Sequence, residues 1–416
     1  MLDLKFIRDH IKEVEESSRN KKCIVDFKRL TTLDTKRRAL IQEVEELKYK
    51  QNQANGEVVQ LKRNGKDNTE KLSELKELSK KIKDFDSNLT TLTQELNAIL
   101  LTIPNIPHDS VPTGDQKENK IVREWGTMPQ FDFKPKDHLT IAEQHGYVNM
   151  SRAAKMTGSG FVLYQGFGAK LERALINFMI DFHVKKHNYT EVSPPFLVNR
   201  ESMTGTGQLP KLEDDMYALK DEELFLIPTA EVPVTNIHRD ELLAEDDLPV
   251  NYVAYTPCFR REAGTYGKDT RGLSRVHQFD KVELVKFVKP ENSFDELETL
   301  VNHAEAILQA LELPYRVIML ATGDLSFAAS KCYDLEVWAP GAQKWFEVSS
   351  CSNFCDFQAR RSNIKFREKQ DKKPQFVHTL NGSGVALPRL VIALLENGQK
   401  KDGNVVFPKA LEPYLK

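Results

Sequence analysis

Apolar residues spaced alternately three and four positions apart run through most of the first hundred residues of this 416-residue chain. The first series is Leu30, Leu33, Leu40, Val44, Leu47, Ala54, Val58 and Leu61, with Arg37 and Gln51 in its polar slots. After an Asn64-Gly65 turn the series resumes as Leu75, Leu78, Ile82, Phe85, Leu89, Leu92, Leu96, Ile99 and Ile103. This spacing predicts two coiled-coil helices that fold back on each other as an antiparallel hairpin.

A hairpin of this length would be an arm, because each helix would extend for about 50 Å at 1.5 Å per residue. Its tip, from Lys62 to Lys83, carries eight basic and four acidic residues and is therefore net +4. A basic tip on a long arm suits the phosphate backbone of a nucleic acid. Charge alone leaves two other interpretations open, a solvated helix face and a spacer or dimerisation zipper.

Net charge and cysteine content limit the partners and the compartment. The formal net charge is -2, so any nucleic-acid surface must be a local patch, and DNA is not an expected partner. The chain has no apolar run near the ~20 residues of a membrane helix, and its acidic amino terminus is unlike a signal peptide. A membrane partner is therefore not expected. Scattered cysteines predict a reducing, cytoplasmic compartment: Cys23, Cys258, Cys332, Cys351 and Cys355.

Beyond a Pro-rich linker, residues 103–120, helical and strand patterns alternate. The segment from Ser293 to Leu313 has helical spacing and begins with a predicted N-cap serine, with Glu296 three residues on. No phosphate-binding GxxxxGK[ST] or well-placed GxGxxG sequence occurs, which excludes P-loop and Rossmann scaffolds. We predict an α+β chain with an arm domain at 1–103 (hairpin about 27–103) and a mostly antiparallel β-sheet domain, flanked by helices, at 104–416.

The segment from Cys258 to Leu284 has strand-like ends that carry unusually many charges around a glycine-bearing loop. Alternation puts Arg260 and Glu262 on one face of the first strand and Arg261 on the other. On the returning strand His277, Phe279, Lys281 and Glu283 share a face. Such a face can bind phosphate, stack an aromatic base and hold an ammonium group, although a salt-bridged surface hairpin would show the same pattern.

Three segments resemble the signature motifs of class II aminoacyl-tRNA synthetases. The second motif resembles Phe259-Arg260-Arg261-Glu262 followed, after a loop, by Arg275-Val276-His277-Gln278-Phe279-Asp280. The end of the first motif resembles residues 189–196, with Asn188 where glycine is usual. The third resembles residues 381–397, with Pro388 in a slot often held by glycine.

Further segments narrow the resemblance to the bacterial type of seryl-tRNA synthetase. They are TGTGQLPK, PTAEVPVTN, EAGTYGKDTRGLSRVHQFDKVE and FEVSSCSNFCDFQARR, together with the helical hairpin. In that family the hairpin contacts the long variable arm of the tRNA, which implicates Lys62, Arg63, Lys66 and Lys71. The family also forms homodimers through a helix like that of residues 171–189.

The resemblance assigns the ATP-binding residues. It implies that Arg260 holds the α-phosphate and the serine carboxylate, and that Arg389 holds the γ-phosphate. Phe279 would stack on adenine, and Glu347 and Ser350 would bind Mg²⁺ between phosphates. The complete implied ATP set is Arg260, Arg261, Glu262, Val276, Phe279, Glu347, Val348, Ser349, Ser350 and Arg389, of which Arg260, Arg389 and Glu347 would be catalytic.

The resemblance also implies a serine pocket, made by Thr229, Ala230, Glu231, Glu283, Ser383 and Arg260. A buried ion pair is the alternative interpretation of Glu231 or Glu283, and an ordinary turn is the alternative for Ser383. Cys351 and Cys355 are better interpreted as buried thiols than as part of a metal site. No zinc is expected, because the cysteines do not lie where zinc-using relatives have their ligands.

The implied reaction is the ATP-dependent ligation of L-serine to tRNA(Ser) through seryl-adenylate, with release of pyrophosphate and AMP. tRNA(Sec) is an expected second substrate. Two alternatives belong to other functional classes. An amino acid:carrier-protein ligase would lack the arm, and a catalytically inactive RNA-binding or structural relative would have lost Arg260, Glu262, Glu347 or Arg389, all of which are present.

Overall fold

The computed structural model describes residues 1–262, 272–369 and 373–416. Most of the loop of the second motif, in EAGTYGKDTRGLSR, lies outside the described residues. Two compact units divide the chain. Residues 2–103 form one unit, and Met1 with residues 104–416 forms the other.

The first unit is helical, and its two longest helices form the hairpin. Its helices are α1 (Leu4–Asp9), α2 (Ile11–Asn20), α3 (Phe27–Arg63) and α4 (Thr69–Leu100). At about 1.5 Å per residue, the 37 residues of α3 and the 32 of α4 span about 55 and 48 Å. Gly65 turns the chain between them with a φ of +64°, which glycine adopts without strain.

The predicted seam lies between α3 and α4, with all its apolar residues buried or partly buried. Both polar slots are satisfied across the seam. Arg37 Nε donates to Thr93 Oγ1 at 3.1 Å, and Gln51 Nε2 donates to Ser79 Oγ at 2.8 Å. Because polar pairs in a seam fix its register, these bonds align the two helices as well as holding them together. The coiled-coil prediction is confirmed, although Ile103 lies three residues beyond the end of α4.

The second unit is built on an eight-stranded sheet with strand order β1-β8-β9-β10-β13-β7-β6-β2. All neighbouring strands are antiparallel except β2 and β6. This confirms the predicted α+β class. The sheet strands are β1 (Lys120–Trp125), β2 (Thr190–Glu191), β6 (Val250–Phe259), β7 (Gln278–Val288), β8 (Tyr315–Met319), β9 (Lys331–Ala339), β10 (Lys344–Asn353) and β13 (His378–Ala386).

Smaller sheets are formed by β3 (Leu197–Asn199) with β4 (Leu224–Leu226), and by β5 (Leu242–Ala244), β11 (Lys365–Arg367) and β12 (Gln375–Phe376). The helices of this unit are α5 (His138–Gln144), α6 (Met150–Thr157), α7 (Phe167–His187), α8 (Arg200–Thr206), α9 (Glu231–Thr235), α10 (Ser293–Ala310), α11 (Phe357–Ser362) and α12 (Leu387–Gly398).

Helices α7, α10 and α12 pack on one face of the large sheet and bury the main apolar core there. Strand β7 shows how the faces are divided. Val282 and Leu284 belong to that core, whereas Phe279, Lys281 and Glu283 line a cavity on the other face. His277 was expected to share their face, but it precedes β7 and instead bonds to the carbonyl of Arg260 through Nδ1 at 3.0 Å.

Helix ends account for the two departures from the family motifs. Asn188 ends α7 in the left-handed conformation (φ +57°, ψ +36°), which asparagine tolerates better than most residues. Pro388 lies in the first turn of α12, where its missing N–H would have no helical partner. The N-cap prediction at Ser293 is wrong: Asn292 precedes the helix, and the Ser293 hydroxyl donates to the carbonyl of Pro290 at 3.1 Å.

Within the described parts of the chain, no helix is both long enough and apolar enough to span a bilayer. None of the five cysteines, all of which lie in those parts, forms a disulfide. Cys258, Cys332 and Cys351 are buried, whereas Cys23 and Cys355 are only partly buried.

Candidate active site

A cavity of about 640 Å³ lies at one end of strands β6, β7, β10 and β13. Fifteen residues were predicted to bind ATP or serine, and all lie within the described residues. Twelve of them line this cavity: Thr229, Glu231, Arg260, Glu262, Val276, Phe279, Glu283, Glu347, Val348, Ser350, Ser383 and Arg389. Residues separated by up to 160 positions therefore converge on one space.

The other three predicted residues do not line the cavity. Ala230 is fully buried beneath it in a separate apolar cluster. The Arg261 side chain is exposed, and its backbone N–H donates to the carbonyl of Asp215 at 2.9 Å. Ser349 is buried and its hydroxyl donates to the carbonyl of Ser383 at 2.5 Å. Side chains alternate in extended backbone, so neighbours of a lining residue often point elsewhere.

One end of the cavity contains a buried polar network around Glu283. Lys281 forms an ion pair with the Glu283 carboxylate and donates to the Thr229 hydroxyl at 2.8 Å. Asn381 Nδ2 donates to Glu283 Oε1 at 3.0 Å, and the Thr229 hydroxyl donates to Oε2 at 3.2 Å. All four side chains are at least nine-tenths buried. The network fixes the carboxylate and pairs it with the Lys281 ammonium group.

Glu231 supplies a second buried carboxyl at the same end. Gln358 Nε2 donates to its Oε1 at 2.6 Å, and Gln358 is itself oriented by the Thr379 hydroxyl at 2.8 Å. Burial, reinforced by the nearby Glu283 carboxylate, raises the pKa of Glu231 to about 7. A cationic group that enters this end of the cavity would stabilise the ionised form of Glu231, so this end can bind a small molecule with an ammonium group.

Sequence reasoning missed three members of this network. Lys281 was only assigned to the polar face of β7, and neither Asn381 nor Gln358 was singled out. Asn381 belongs to the third motif and is two residues from Ser383, which is the signal that could have identified it. Gln358 reaches Glu231 across 127 positions of sequence, and no local pattern indicates such a contact.

The opposite end of the cavity presents Arg389. Its Nη1 donates to the carbonyl of Glu347 at 2.7 Å and lies 3.4 Å from the Glu347 carboxylate. Its Nε donates to the carbonyl of Ser274 at 3.2 Å. These bonds fix the plane of the guanidinium group, and its positive charge still faces the cavity. A guanidinium held in this way can bind a phosphate group.

Arg260 and Phe279 line the same cavity and contact each other. The Arg260 guanidinium carbon lies 5.2 Å from the centroid of the Phe279 ring, and its Nε donates to the carbonyl of Pro228 at 3.3 Å. Glu262 is paired with Arg275, its Oε2 accepting from Nη1 at 2.5 Å. This part of the cavity thus combines a flat aromatic surface with a cation, which suits a base attached to phosphate.

The donors of the predicted Mg²⁺ site are oxygen atoms near a further acid. Glu347 and Ser350 both belong to β10 and lie on either side of an irregularity in its pairing with β9. Burial and the Glu347 carboxylate hold the pKa of the neighbouring Asp334 well above its ordinary range. A divalent cation bound to these hard oxygen donors would favour the ionised form of both carboxyl groups, so the site fits such an ion. In the described parts of the chain, no cluster of three or more His, Cys, Asp or Glu side chains could hold a metal without help from a ligand.

The four basic residues predicted to contact tRNA differ in their surroundings. Lys62, Arg63 and Lys66 are exposed around the α3–α4 turn. Lys71 is instead held 2.8 Å from both Glu57 and Glu74, and hydrogen bonds to these carboxylates raise its pKa. Its charge is already balanced, so it is a weaker candidate for a phosphate contact than the other three.

The sequence matches two protein-family profiles. The "Seryl-tRNA synthetase N-terminal domain" matches residues 1–107, and the "tRNA synthetase class II core domain (G, H, P, S and T)" matches residues 213–398. The serine–tRNA ligase of Bacillus subtilis is 55% identical over 417 residues, and that of Syntrophobacter fumaroxidans is 54% identical over 416. Each alignment covers the whole of this chain and 98% of the relative.

Solved structures give a similar picture. The crystal structure of seryl-tRNA synthetase from Pyrococcus horikoshii, complexed with ATP, superposes with a TM-score of 0.92 at 38% identity. The superposition covers all of this chain and 98% of the Pyrococcus horikoshii chain. The cytoplasmic serine–tRNA ligase of Naegleria fowleri, in complex with AMP, superposes with a TM-score of 0.86 at 29% identity.

Proposed function

The chain belongs to the class II seryl-tRNA synthetase family, and we propose that it ligates L-serine to tRNA(Ser) through a seryl-adenylate intermediate formed in the cavity of the second unit. Its homology to serine–tRNA ligases identifies it as a ligase of this class. The observation that carries the proposal for the intermediate is the cavity itself, which is lined by a buried carboxylate network, Arg260 and Arg389.

Adenylate formation joins the serine carboxylate to the α-phosphate of ATP and expels pyrophosphate. The serine carboxylate is the nucleophile, so the protein has to neutralise charge and hold the reactants in line. Arg260 would hold the α-phosphate and the serine carboxylate, with adenine stacked on Phe279 and oriented by Glu262 and the Val276 backbone. Arg389 would hold the γ-phosphate. The tRNA ribose hydroxyl then attacks the adenylate and releases AMP.

Serine selection would depend on the network around Glu283. Glu231 and Glu283 would hold the ammonium group, while Thr229 and Ser383 would surround the side-chain hydroxyl. A pocket of satisfied polar groups rejects alanine, because binding alanine would leave a buried donor or acceptor without a partner. The extra methyl group of threonine has to be excluded by lack of room.

Glu347 and Ser350 would hold Mg²⁺ against the ATP phosphates. When bound, the ion would neutralise negative charge on pyrophosphate as it leaves.

The exposed basic tip of the hairpin would contact the tRNA backbone. We further propose tRNA(Sec), where present, as a second substrate, and a cytoplasmic location, which the absence of disulfides among the described cysteines supports.

The test of this function is an exchange assay followed by a charging assay. Serine should stimulate exchange of labelled pyrophosphate into ATP, and the protein should then charge tRNA(Ser). Exchange without charging of any tRNA would instead indicate a carrier-protein ligase. Absence of both would indicate an inactive relative.

The raised pKa of Glu231 predicts a pH-dependent affinity for serine. Below about pH 7 the carboxyl is protonated and neutral, so its attraction for the serine ammonium is lost. The KM for serine should therefore rise as the pH falls, approaching tenfold per pH unit below the pKa. Glu231→Gln should show a high KM that no longer varies in this range. Measuring the KM for ATP in the same buffers controls for other titrations, and an unchanged serine profile in the variant would contradict the assignment.

We also propose a homodimer assembled through α7 and the Pro194-Pro195 segment. Phe196 and Leu197, directly after these prolines, each leave 40% of their surface exposed, which supports an interface there. Light scattering at assay concentration should give twice the mass of one chain. A fully active monomer would disprove this assembly.

A further inference from the structure

We propose that His138 and Glu396 are positioning residues for Arg389. They would set its orientation through the backbone of residues 273–274, which belongs to the second motif. This inference rests on the proposed role of Arg389 in binding ATP. Neither His138 nor Glu396 is among the described residues that line the cavity, so any effect on the reaction must be transmitted through other groups.

Glu396 is a fully buried carboxylate near the end of α12, and it is saturated with hydrogen bonds. Its Oε1 accepts from the backbone N–H of His138 at 2.8 Å and from His138 Nδ1 at 3.0 Å. Its Oε2 accepts from the backbone N–H groups of Gly341 and Ala342 at 2.8 and 2.9 Å. A carboxylate that is held by four donors is rigid, so the His138 ring is rigidly oriented too.

The bonds of His138 determine which ring nitrogen carries the proton. The backbone N–H of Leu273 can only donate, and it lies 3.3 Å from Nε2. Nε2 must therefore accept, and Nδ1 must carry the hydrogen that is donated to Glu396. A buried carboxylate thus fixes the tautomer of a buried histidine, which in turn holds a backbone amide of the second motif.

Gly272 permits this contact. A Cβ at this position would lie 2.5 Å from His138 Nε2, closer than packed atoms can approach, and the residue has a φ of +73°. Both constraints favour glycine. The close approach indicates that the backbone at residues 272–273 is fitted to the His138 ring rather than merely near it.

The backbone next to Leu273 also bonds to Arg389. The residue after Leu273 is Ser274, whose carbonyl accepts from Arg389 Nε at 3.2 Å. Arg389 and Glu396 both belong to α12, so the connections form a closed path from that helix through His138 and the second motif back to it. Displacement of the 273–274 backbone would remove the bond at Arg389 Nε, and among the described residues Glu347 would then be the remaining partner of the guanidinium.

Three variants and one control test the inference in the exchange assay. His138→Asn keeps a donor for Glu396 but is too short to reach Leu273. His138→Gln can extend an amide oxygen toward Leu273 and should restore part of the function. Glu396→Gln keeps the shape but replaces one acceptor oxygen with an NH2 group, so it cannot accept from both His138 and the backbone of Gly341 and Ala342. The control is His145→Gln, at the end of α5, because His145 bonds to the carbonyl of Gly403 and makes no hydrogen bond to the described residues of the second motif.

His138→Asn should raise the KM for ATP about tenfold, below the roughly 100-fold loss that a 1 Å misplacement can cause. The KM for serine should stay within about twofold of the parent, because the serine end of the cavity has separate supports. Glu396→Gln should show the same selectivity, His138→Gln a smaller effect and His145→Gln none. Unchanged ATP kinetics, or equal effects on both substrates, would overturn the inference.

A double-variant cycle separates this inference from the proposed function. Once Arg389→Ala has removed the guanidinium, adding His138→Asn should cause little further loss. Fully multiplicative losses would mean that His138 does not act through Arg389. A parent protein without serine-dependent exchange, or an Arg389→Ala variant with normal exchange, would instead refute the proposed function itself.

Discussion

Arg260→Ala is expected to lower serine-dependent ATP–pyrophosphate exchange by about 10²–10³-fold, the usual cost of removing one preorganised charge from a site where negative charge develops. Arg260 lines the same cavity as the buried carboxylate network and Arg389. Its guanidinium is supported by the Phe279 ring and the carbonyl of Pro228, so it is already oriented before substrates bind.

The loss should appear mainly in the turnover rate. Arg260 would balance charge shared by the serine carboxylate and the α-phosphate as they approach each other, which is an interaction that strengthens in the transition state. Arg260→Lys should recover only part of the rate, since an ammonium group cannot hold two oxygens in the plane of a guanidinium. Thermal unfolding of both variants should remain close to that of the parent.

Arg261→Ala provides the matched comparison on the neighbouring residue. The Arg261 side chain is exposed and does not line the cavity, so its removal should cost far less than removal of Arg260. Equal losses in the two variants would mean that the local charge matters rather than the position. Near-normal exchange by Arg260→Ala would mean that Arg260 does not take part in adenylate formation.

Local sequence patterns predicted the fold well because periodicity determines which face of an element is buried. The heptad spacing of α3 and α4 is such a pattern, and it also identifies the polar slots at Arg37 and Gln51. Strands β6 and β7 were also predicted from the strand-like ends of the segment from Cys258 to Leu284. The N-cap of α10 was predicted wrongly, because the backbone enters the helix through a turn at residues 290–292 that makes Asn292 the cap.

The candidate site was predictable only in part. Alternation identified the polar face of β7, and the family resemblance supplied the residues from distant segments that converge on it. The resemblance assigned whole contiguous segments, and it therefore included Ala230, Arg261 and Ser349, whose side chains do not line the cavity. The contacts of Gln358 with Glu231 and of His138 with Leu273 join residues 127 and 135 positions apart, so they depend on the assembled fold.

Shortening the hairpin should separate the two half-reactions. Deleting residues 49–85 and joining Lys48 to Asp86 through a short Gly-Ser turn removes the basic tip but keeps the base of the arm. The Arg29–Glu95 ion pair, the Arg37–Thr93 bond and the Arg8–Asp34 ion pair all remain. The second unit has its own core, so the shortened protein should make seryl-adenylate at nearly the parent rate.

Charging of tRNA by the shortened protein should fall by about one to two orders of magnitude through weaker binding, because the phosphate contacts of the arm are lost. High tRNA concentration should restore much of the rate. If the arm were instead a spacer or dimerisation zipper, the deletion would reduce exchange and stability together with charging. Exchange, charging and light scattering on one preparation distinguish these results.

A finer test neutralises the tip without shortening it. Changing Lys62, Arg63 and Lys66 together to glutamine should reduce the slope of log affinity against log salt by roughly 2 to 3, since each phosphate contact contributes about 0.7 to 0.9. Lys71→Gln is the matched control, because its ammonium group is already paired with Glu57 and Glu74. The control should leave the slope nearly unchanged. An unchanged slope in the triple variant would mean that the tip is only solvated and that tRNA is held by the flanks of the hairpin.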